Sequence, residues 1–107
     1  MTELVNKTCK PCEGGIPPMK HSEALELLKS LKGWSIKEDS KLKKEYYFVS
    51  FQHTMDFVNK VAILSESEGH HPDLHISYGR LTIELWTHAI NGLSENDFIL
   101  AAKIDQL

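Results

Sequence analysis

Cysteine is scarce in this chain: 107 residues hold only Cys9 and Cys12, in the single motif CKPC. Two thiols build no disulfide framework, and a zinc finger lacks its second ligand pair. No strand precedes CKPC as a thioredoxin-like site requires. Structural, zinc and redox roles stay open for the pair, with reduced thiols expected in a cytosol. Positive charge is also short. Twelve Lys and Arg against fifteen Asp and Glu give a net charge of −3, so the basic face that nucleic acid needs is absent and no such partner is expected. No apolar run approaches the roughly 18 residues of a membrane span. MTELVNKTCK has no signal-peptide core, so a cytoplasmic protein without a membrane partner is the expectation, and an organellar form would need a longer precursor. Missing too are a serine in a nucleophile elbow and a glycine loop able to cradle phosphate.

What the chain does hold is a core-forming composition, 41% hydrophobic and 25% charged, over a length that suits one two-layer domain. Residues 1–20 end in CEGGIPPMK, whose two glycines and two prolines forbid a regular element. They read as an extended arm with the CxxC pair, packed on the domain by Ile16 and Met19. Residues 21–107 read as the domain itself. HSEALELLKSLKGW sets Ala24, Leu25, Leu28 and Leu31 at helical spacing, with Gly33 as the stop. WSIKED and LKKEYYFVSF follow as two strands about an Asp39-Ser40 turn. A second helix runs from Thr54 to about Glu68, with Phe57, Val58, Val61, Ala62 and Leu64 on its apolar stripe and Gly69 at its end. Leu74–Thr87 forms another strand pair. LSENDFILAAKID then opens a third helix through a capping box of Ser94 and Asp97 and buries Phe98, Ala101, Ala102 and Ile104. The order α-β-β-α-β-β-α predicts an α+β fold: one four-stranded antiparallel sheet with three helices packed on a single face, in two layers.

Histidine is the conspicuous chemical group. Four of the six lie in SEGHHPDLHISYGRLTIELWTH, from Ser67 to His88. Leu74, Ile76 and Tyr78 alternate there with Asp73, His75 and Ser77. On the return, Leu81, Ile83 and Leu85 alternate with Thr82, Glu84, Trp86 and His88. The apolar sets share a face only when paired residue numbers have an odd sum. A type II′ turn at Gly79-Arg80 satisfies this and pairs Leu74 with Leu85, Ile76 with Ile83, His71 with His88 and His75 with Glu84. A turn at Tyr78-Gly79 also satisfies it and sets Gly69 opposite His88. Either register returns His88 to the His70–His71 corner, on the face away from the helices with Trp86 and Asp73. Pro72 holds His71 extended, so His70 and His71 point in different directions, and Glu66 on the last helical turn reaches the same corner. His75 and Glu84 read as a solvated cross-strand pair, and His21 and His53 carry no assigned chemistry.

A corner of imidazoles and a carboxylate suits general acid–base catalysis, because imidazole exchanges protons near neutrality. Zinc on His70, His71 and His88 is the rival reading. Neighbouring extended side chains diverge, however, and His71 and His75 would stand about 13 Å apart at roughly 3.3 Å per residue. No metal or other cofactor is expected. Trp86, on the wet face, marks a binding or self-association surface. Asp97 reads first as a helix cap and as structural support for the corner.

The stretch EGHHPDLHISYGRLTIELWTHAINGLSENDFILAAKID resembles pterin-4a-carbinolamine dehydratases of the bacterial and plant type. The matching features are Glu66 upstream of HHP, Tyr78, Thr87-His88, GLSENDF and Asp97, within a likeness that runs from about Ser22 to Asp105. The C-x-x-C-x-G-G-x-P-P arm is similar to that of many members. The resemblance implies a 4a-hydroxytetrahydropterin substrate that loses water to give a quinonoid dihydropterin, so the pterin is substrate and not cofactor. It implies a link to an aromatic amino acid hydroxylase, whose oxidised pterin is recycled. Catalytic roles fall on His70, His71 and His88, with His70 and His88 as the proton-transfer pair. Substrate-binding groups fall at Glu66, Gly69, His70, His71, Pro72, Trp86, Thr87, His88 and Ala89. One departure is Leu74, where animal members carry tryptophan. A homodimer or homotetramer is also implied. The alternative is a non-enzymatic binding role, since animal relatives act as dimerisation cofactors of a homeodomain transcription factor.

Overall fold

The computed structural model describes residues 4–10, 17–38 and 40–107. Helix α1 spans His21–Leu28; strands β1 (Ser35–Lys37) and β2 (Lys41–Tyr47) form the first hairpin. Helix α2 spans Phe51–Glu68, strands β3 (Asp73–Ser77) and β4 (Arg80–Leu85) form the second hairpin, and α3 spans Glu95–Ile104. The four strands make one antiparallel sheet in the order β1-β2-β4-β3, which confirms the α+β architecture. The two hairpins join through β2 and β4, where Leu42 faces Leu85 and Tyr46 faces Leu81. Strand alternation sends Leu42, Leu81, Ile83 and Leu85 into the core beside Val61 of α2 and Phe98, Leu100 and Ile104 of α3, all buried. At about 25 cal/mol per Å² of apolar surface removed from water, this shared layer is what holds helices to sheet. Among the described residues, no helix is long and apolar enough to cross a membrane.

Four local expectations change. Helix α1 stops at Leu28, and Gly33, though at φ 78°, lies in the loop beyond it. The cause is Asp105 at the end of α3, which accepts from Lys32 N–H at 3.0 Å and from Trp34 Nε1–H at 2.9 Å. That carboxylate holds the segment after Leu28 in a non-helical path. Helix α2 begins earlier than Thr54, because Ser50 caps it: Ser50 Oγ accepts from His53 N–H at 3.1 Å. Its buried face is Thr54, Val58, Val61 and Ser65, with Phe57 and Leu64 half-buried and Ala62 exposed. Leu4–Asn6, expected to be extended, form a 3-10 turn with Leu4 buried in the core. Met19 does dock, donating its N–H to Leu93 O at 2.8 Å; Ile16 and Cys12 lie outside the described residues.

The fourth change is the register of the β3–β4 hairpin. Leu74 faces Ile83 and Ile76 faces Leu81, so Tyr78 and Gly79 form the turn: the favoured Gly79-Arg80 register, with its Leu74–Leu85 and Ile76–Ile83 pairs, is overturned, and the alternative register holds. Neither turn residue has positive φ, which excludes type II′. Neighbours outside the hairpin decide the matter. Gly79 O accepts from Phe48 N–H at 2.8 Å, and Tyr78 O lies 2.9 Å from Thr54 Oγ1. Glycine is required by this close approach, since a Cβ at position 79 would sit 2.6 Å from Phe48 O. The parity of the hairpin is as expected, and the core faces are unaffected.

Candidate active site

Gly69 ends α2 in the left-handed conformation, φ 67°, and the N–H of His70 turns back to Ser65 O at 3.2 Å. That reversal drives His70 inward. It is 9% exposed, and its Nε2 stands 2.6 Å from Asp97 Oδ1. Asp97 is wholly buried in the first turn of α3, where its Oδ2 accepts from Ser94 N–H and from Thr87 Oγ1–H, each at 2.9 Å. The capping carboxylate is therefore also the partner of His70. A buried carboxylate with three hydrogen bonds fixes both the ring orientation and the nitrogen that faces away from it. With Nε2 on Asp97, Nδ1 is the ring nitrogen left to exchange a proton.

His71 goes the other way, as the Pro72 constraint predicts. Its exposed ring places Nε2 2.7 Å from Glu66 Oε1, one helical turn back on α2. The pair stands at the wall of an open cavity of about 750 Å³, lined also by Ala62, Ile63, Pro72 and Leu74. This volume is in the range of small-molecule sites. The cavity takes in His71 and Glu66; His70 and His88 lie outside its lining.

His88 begins a 3-10 turn after β4, closed by Asn91 in the left-handed conformation and by the Thr87–Gly92 bridge. Its ring packs edge-on against Trp86, with centroids 4.0 Å apart. Trp86 Nε1–H donates to Asp73 Oδ2 at 2.9 Å, and Lys41 Nζ lies 4.9 Å from the indole centroid. The β3–β4 ladder ends at Asp73–Glu84, so the expected His71–His88 cross-strand pair does not form. What brings the two histidine segments together is Asp97, which binds His70 from one and Thr87 from the other. Gly69 and Ala89, at the two ends of this arrangement, are both exposed. His75 drops out: it faces Thr82 in the ladder and meets Glu84 only diagonally, at 3.4 Å. Among the described residues, no group of three His, Cys, Asp or Glu side chains is disposed to hold a metal ion.

Sequence reasoning named these residues but missed two contacts. The hydroxyl of Thr87, a residue expected among the substrate-binding groups, donates to Asp97. The Asp73–Trp86 bond holds the indole that supports His88. The alternation of Asp73 and Trp86 onto one face was the available signal for the second; nothing local signals the first.

Residues 17–107 match the family model described as pterin 4 alpha carbinolamine dehydratase. A protein of Rickettsia canadensis that carries the provisional name pterin-4-alpha-carbinolamine dehydratase is 52% identical over 98% of this chain and 97% of its own length. One of Rubrobacter xylanophilus with the same provisional name is 44% identical over the full length of both. Among solved structures, a transcriptional coactivator/pterin dehydratase from Brucella melitensis superposes with a TM-score of 0.78 at 29% identity, over 83% of this chain and 96% of that one. A pterin dehydratase-like protein identified as a RuBisCO assembly factor in the alpha-carboxysome gives 0.60 at 26% identity, over 70% and 88%. The chain belongs to the pterin-4a-carbinolamine dehydratase family, a family of hydro-lyases.

Proposed function

We propose that this protein dehydrates a 4a-hydroxytetrahydropterin, with His70 and His88 moving the protons. The single observation that carries the reading is the buried Asp97 carboxylate, 2.6 Å from His70 Nε2 and hydrogen-bonded to Thr87, the residue before His88. In the reaction, one imidazolium protonates the 4a-hydroxyl, the C4a–O bond breaks, and water leaves. The other imidazole removes the proton from the adjacent ring nitrogen N5, whose electron pair forms the new C4a=N5 bond. One proton is given and one taken, so the substrate becomes quinonoid dihydropterin plus water with no change in redox state. The histidine pair then regains its starting protonation by exchange with solvent.

His71, held by Glu66 on the cavity wall, supplies a hydrogen bond to the pterin. The backbone at Gly69, Pro72 and Ala89 and the Trp86–Thr87 segment frame the rest of the ring. Asp97 sets the tautomer of His70 and stabilises its charged form as protons move. The chemistry needs no metal. The substrate is the form in which an aromatic amino acid hydroxylase would release its oxidised pterin, and the product must be reduced before it is reused. The test is turnover of a 4a-hydroxytetrahydropterin with and without a chelator. Activity above the spontaneous rate that survives chelation supports the reading. No acceleration, or activity lost on chelation, contradicts it.

A second reading follows from the two solved structures, described as a coactivator and an assembly factor. Here the protein would bind a protein partner through exposed apolar side chains such as Ile63 and Tyr78. Absence of turnover together with specific capture of one partner would favour it.

A further inference from the structure

The segment Leu4–Lys10 has no part in the chemistry above, yet it is fastened at the base of the site. Leu4 is buried in the core, and Val5 and Cys9 pack on its margin. The polar fastening uses two side chains, both largely buried. Glu68, in the last turn of α2, accepts from Cys9 N–H at 2.9 Å and from Lys103 of α3 at 3.0 Å. Asn96, in the first turn of α3, accepts from Lys10 N–H at 2.9 Å through Oδ1 and donates through Nδ2 to Lys10 O at 2.6 Å. The thiol of Cys9 stands 3.6 Å from Asn96 O.

The placement of these groups gives them meaning. Glu68 is two residues before His70, and Asn96 is the residue before Asp97. The segment thus bridges the end of α2 and the start of α3, the two backbone ends that the His70–Asp97 bond spans. A 2.6 Å hydrogen bond from a residue just past the end of α2 to the first turn of α3 holds only while those ends keep their spacing. Thr87 and Ser94 fix Asp97 from the sheet side. On the far side, the fastening comes from residues 9 and 10 and from Lys103.

We propose that the N-terminal segment is a positioning element of the catalytic centre, acting through Glu68 and Asn96 on the His70–Asp97 pair. The proposal rests on the dehydratase reading of that pair. Glu68 and Asn96 are positioning residues: neither touches a reacting atom. Displacement of a catalytic group by about 1 Å costs up to roughly a hundredfold in rate. Loosening of the bridge is therefore expected to lower kcat about tenfold or more and to leave KM nearly unchanged.

The experiment compares Glu68→Ala, Glu68→Gln and Asn96→Ala with wild type, with Lys29→Ala, exposed just past the end of α1, as the control. Three quantities are read: kcat and KM, the pH profile of kcat, and the downfield NMR signal of the His70 ring N–H. Glu68→Ala and Asn96→Ala should lower kcat, displace the pH profile and shift or broaden the His70 signal. Glu68→Gln, which keeps an acceptor for Cys9 N–H, should recover most of kcat. If Asn96→Ala does not fold, the Glu68 pair decides alone, since glutamine keeps the acceptor for Cys9 N–H that alanine removes. If folded Glu68→Ala keeps the wild-type profile and His70 signal, the proposal fails while the dehydratase reading stands. A fully active His70→Ala protein overturns both.

Discussion

Replacement of Asp97 by asparagine is the most informative single perturbation of the site. The side chain keeps its size, and its remaining oxygen can still accept from Ser94 N–H and Thr87 Oγ1–H, each now at 2.9 Å. The amide NH2 then faces His70 Nε2 in place of an oxygen at 2.6 Å. Two donors cannot share that position, so the ring must carry its proton on Nδ1. The tautomer is reversed, and no negative charge opposes an imidazolium. A hydrogen bond to a charged group is worth about 1.5–3 kcal/mol. Lost only as His70 charges, it lowers kcat by roughly 10- to 150-fold. The fold suffers less, because in the reversed tautomer the amide oxygen and nitrogen each keep a partner. A loss of about 1 kcal/mol lowers Tm by roughly 4–8 °C. Steady-state dehydration and thermal melting, run on the same preparation, separate the two effects. If kcat stays within twofold of wild type, the contact does not serve catalysis. If kcat falls only as far as the folded fraction falls, Asp97 is a helix cap and nothing more.

Glu84 sits on the open sheet face among Lys37, Lys41 and His75, with Asp73 opposite; burial favours its neutral form, but the Lys37 and Lys41 charges and the hydrogen bond from His75 prevail and hold its carboxyl below the ordinary value. Its folded-state pKa is below the unfolded one, so its contribution is present above about pH 4.5 and is lost as pH falls through the folded value. The melting temperature of Glu84→Gln should therefore decline less steeply than wild type below pH 4.5, and parallel curves would refute this. Burial first, and then the Glu68 carboxylate, push the Cys9 thiol up to about 12. At pH 8 this leaves roughly a thousandfold less thiolate than an exposed cysteine has, so peptide-resolved alkylation should find Cys9 inert in the folded protein and reactive in denaturant. Rapid native-state labelling would show that the segment is not docked. Gly79→Ala forces a Cβ to within 2.6 Å of Phe48 O and should cost about 1–3 kcal/mol, read by denaturant unfolding; an unchanged midpoint would contradict the account of the turn.

Periodic and capping features were legible in the sequence because their causes are local. Gly69, the Ser94–Asp97 box and the hairpin parity each follow from a few neighbouring residues, and together they predict that His70 and His71 part and that His88 returns. The register is decided elsewhere, by Phe48 and Thr54 taking hold of the turn carbonyls. Both candidate turns satisfied the alternation, so no pattern within the hairpin could choose between them. In the same way, α1 ends where Asp105, more than seventy residues on, captures Lys32 and Trp34. The docking of residues 4–10 depends on Glu68 and Asn96, whose side chains look like ordinary surface groups in sequence. Long-range hydrogen bonds of this kind leave no periodic trace. The convergence of the two histidine segments was therefore readable, whereas the bonds that orient their side chains were not.

The measurement that bears most directly on the account is turnover of a 4a-hydroxytetrahydropterin by His70→Ala and His88→Ala proteins, corrected for spontaneous dehydration. The account predicts that each loses at least about a hundredfold in kcat, as removal of a general acid or base does. Near-wild-type rates in both folded variants would contradict it.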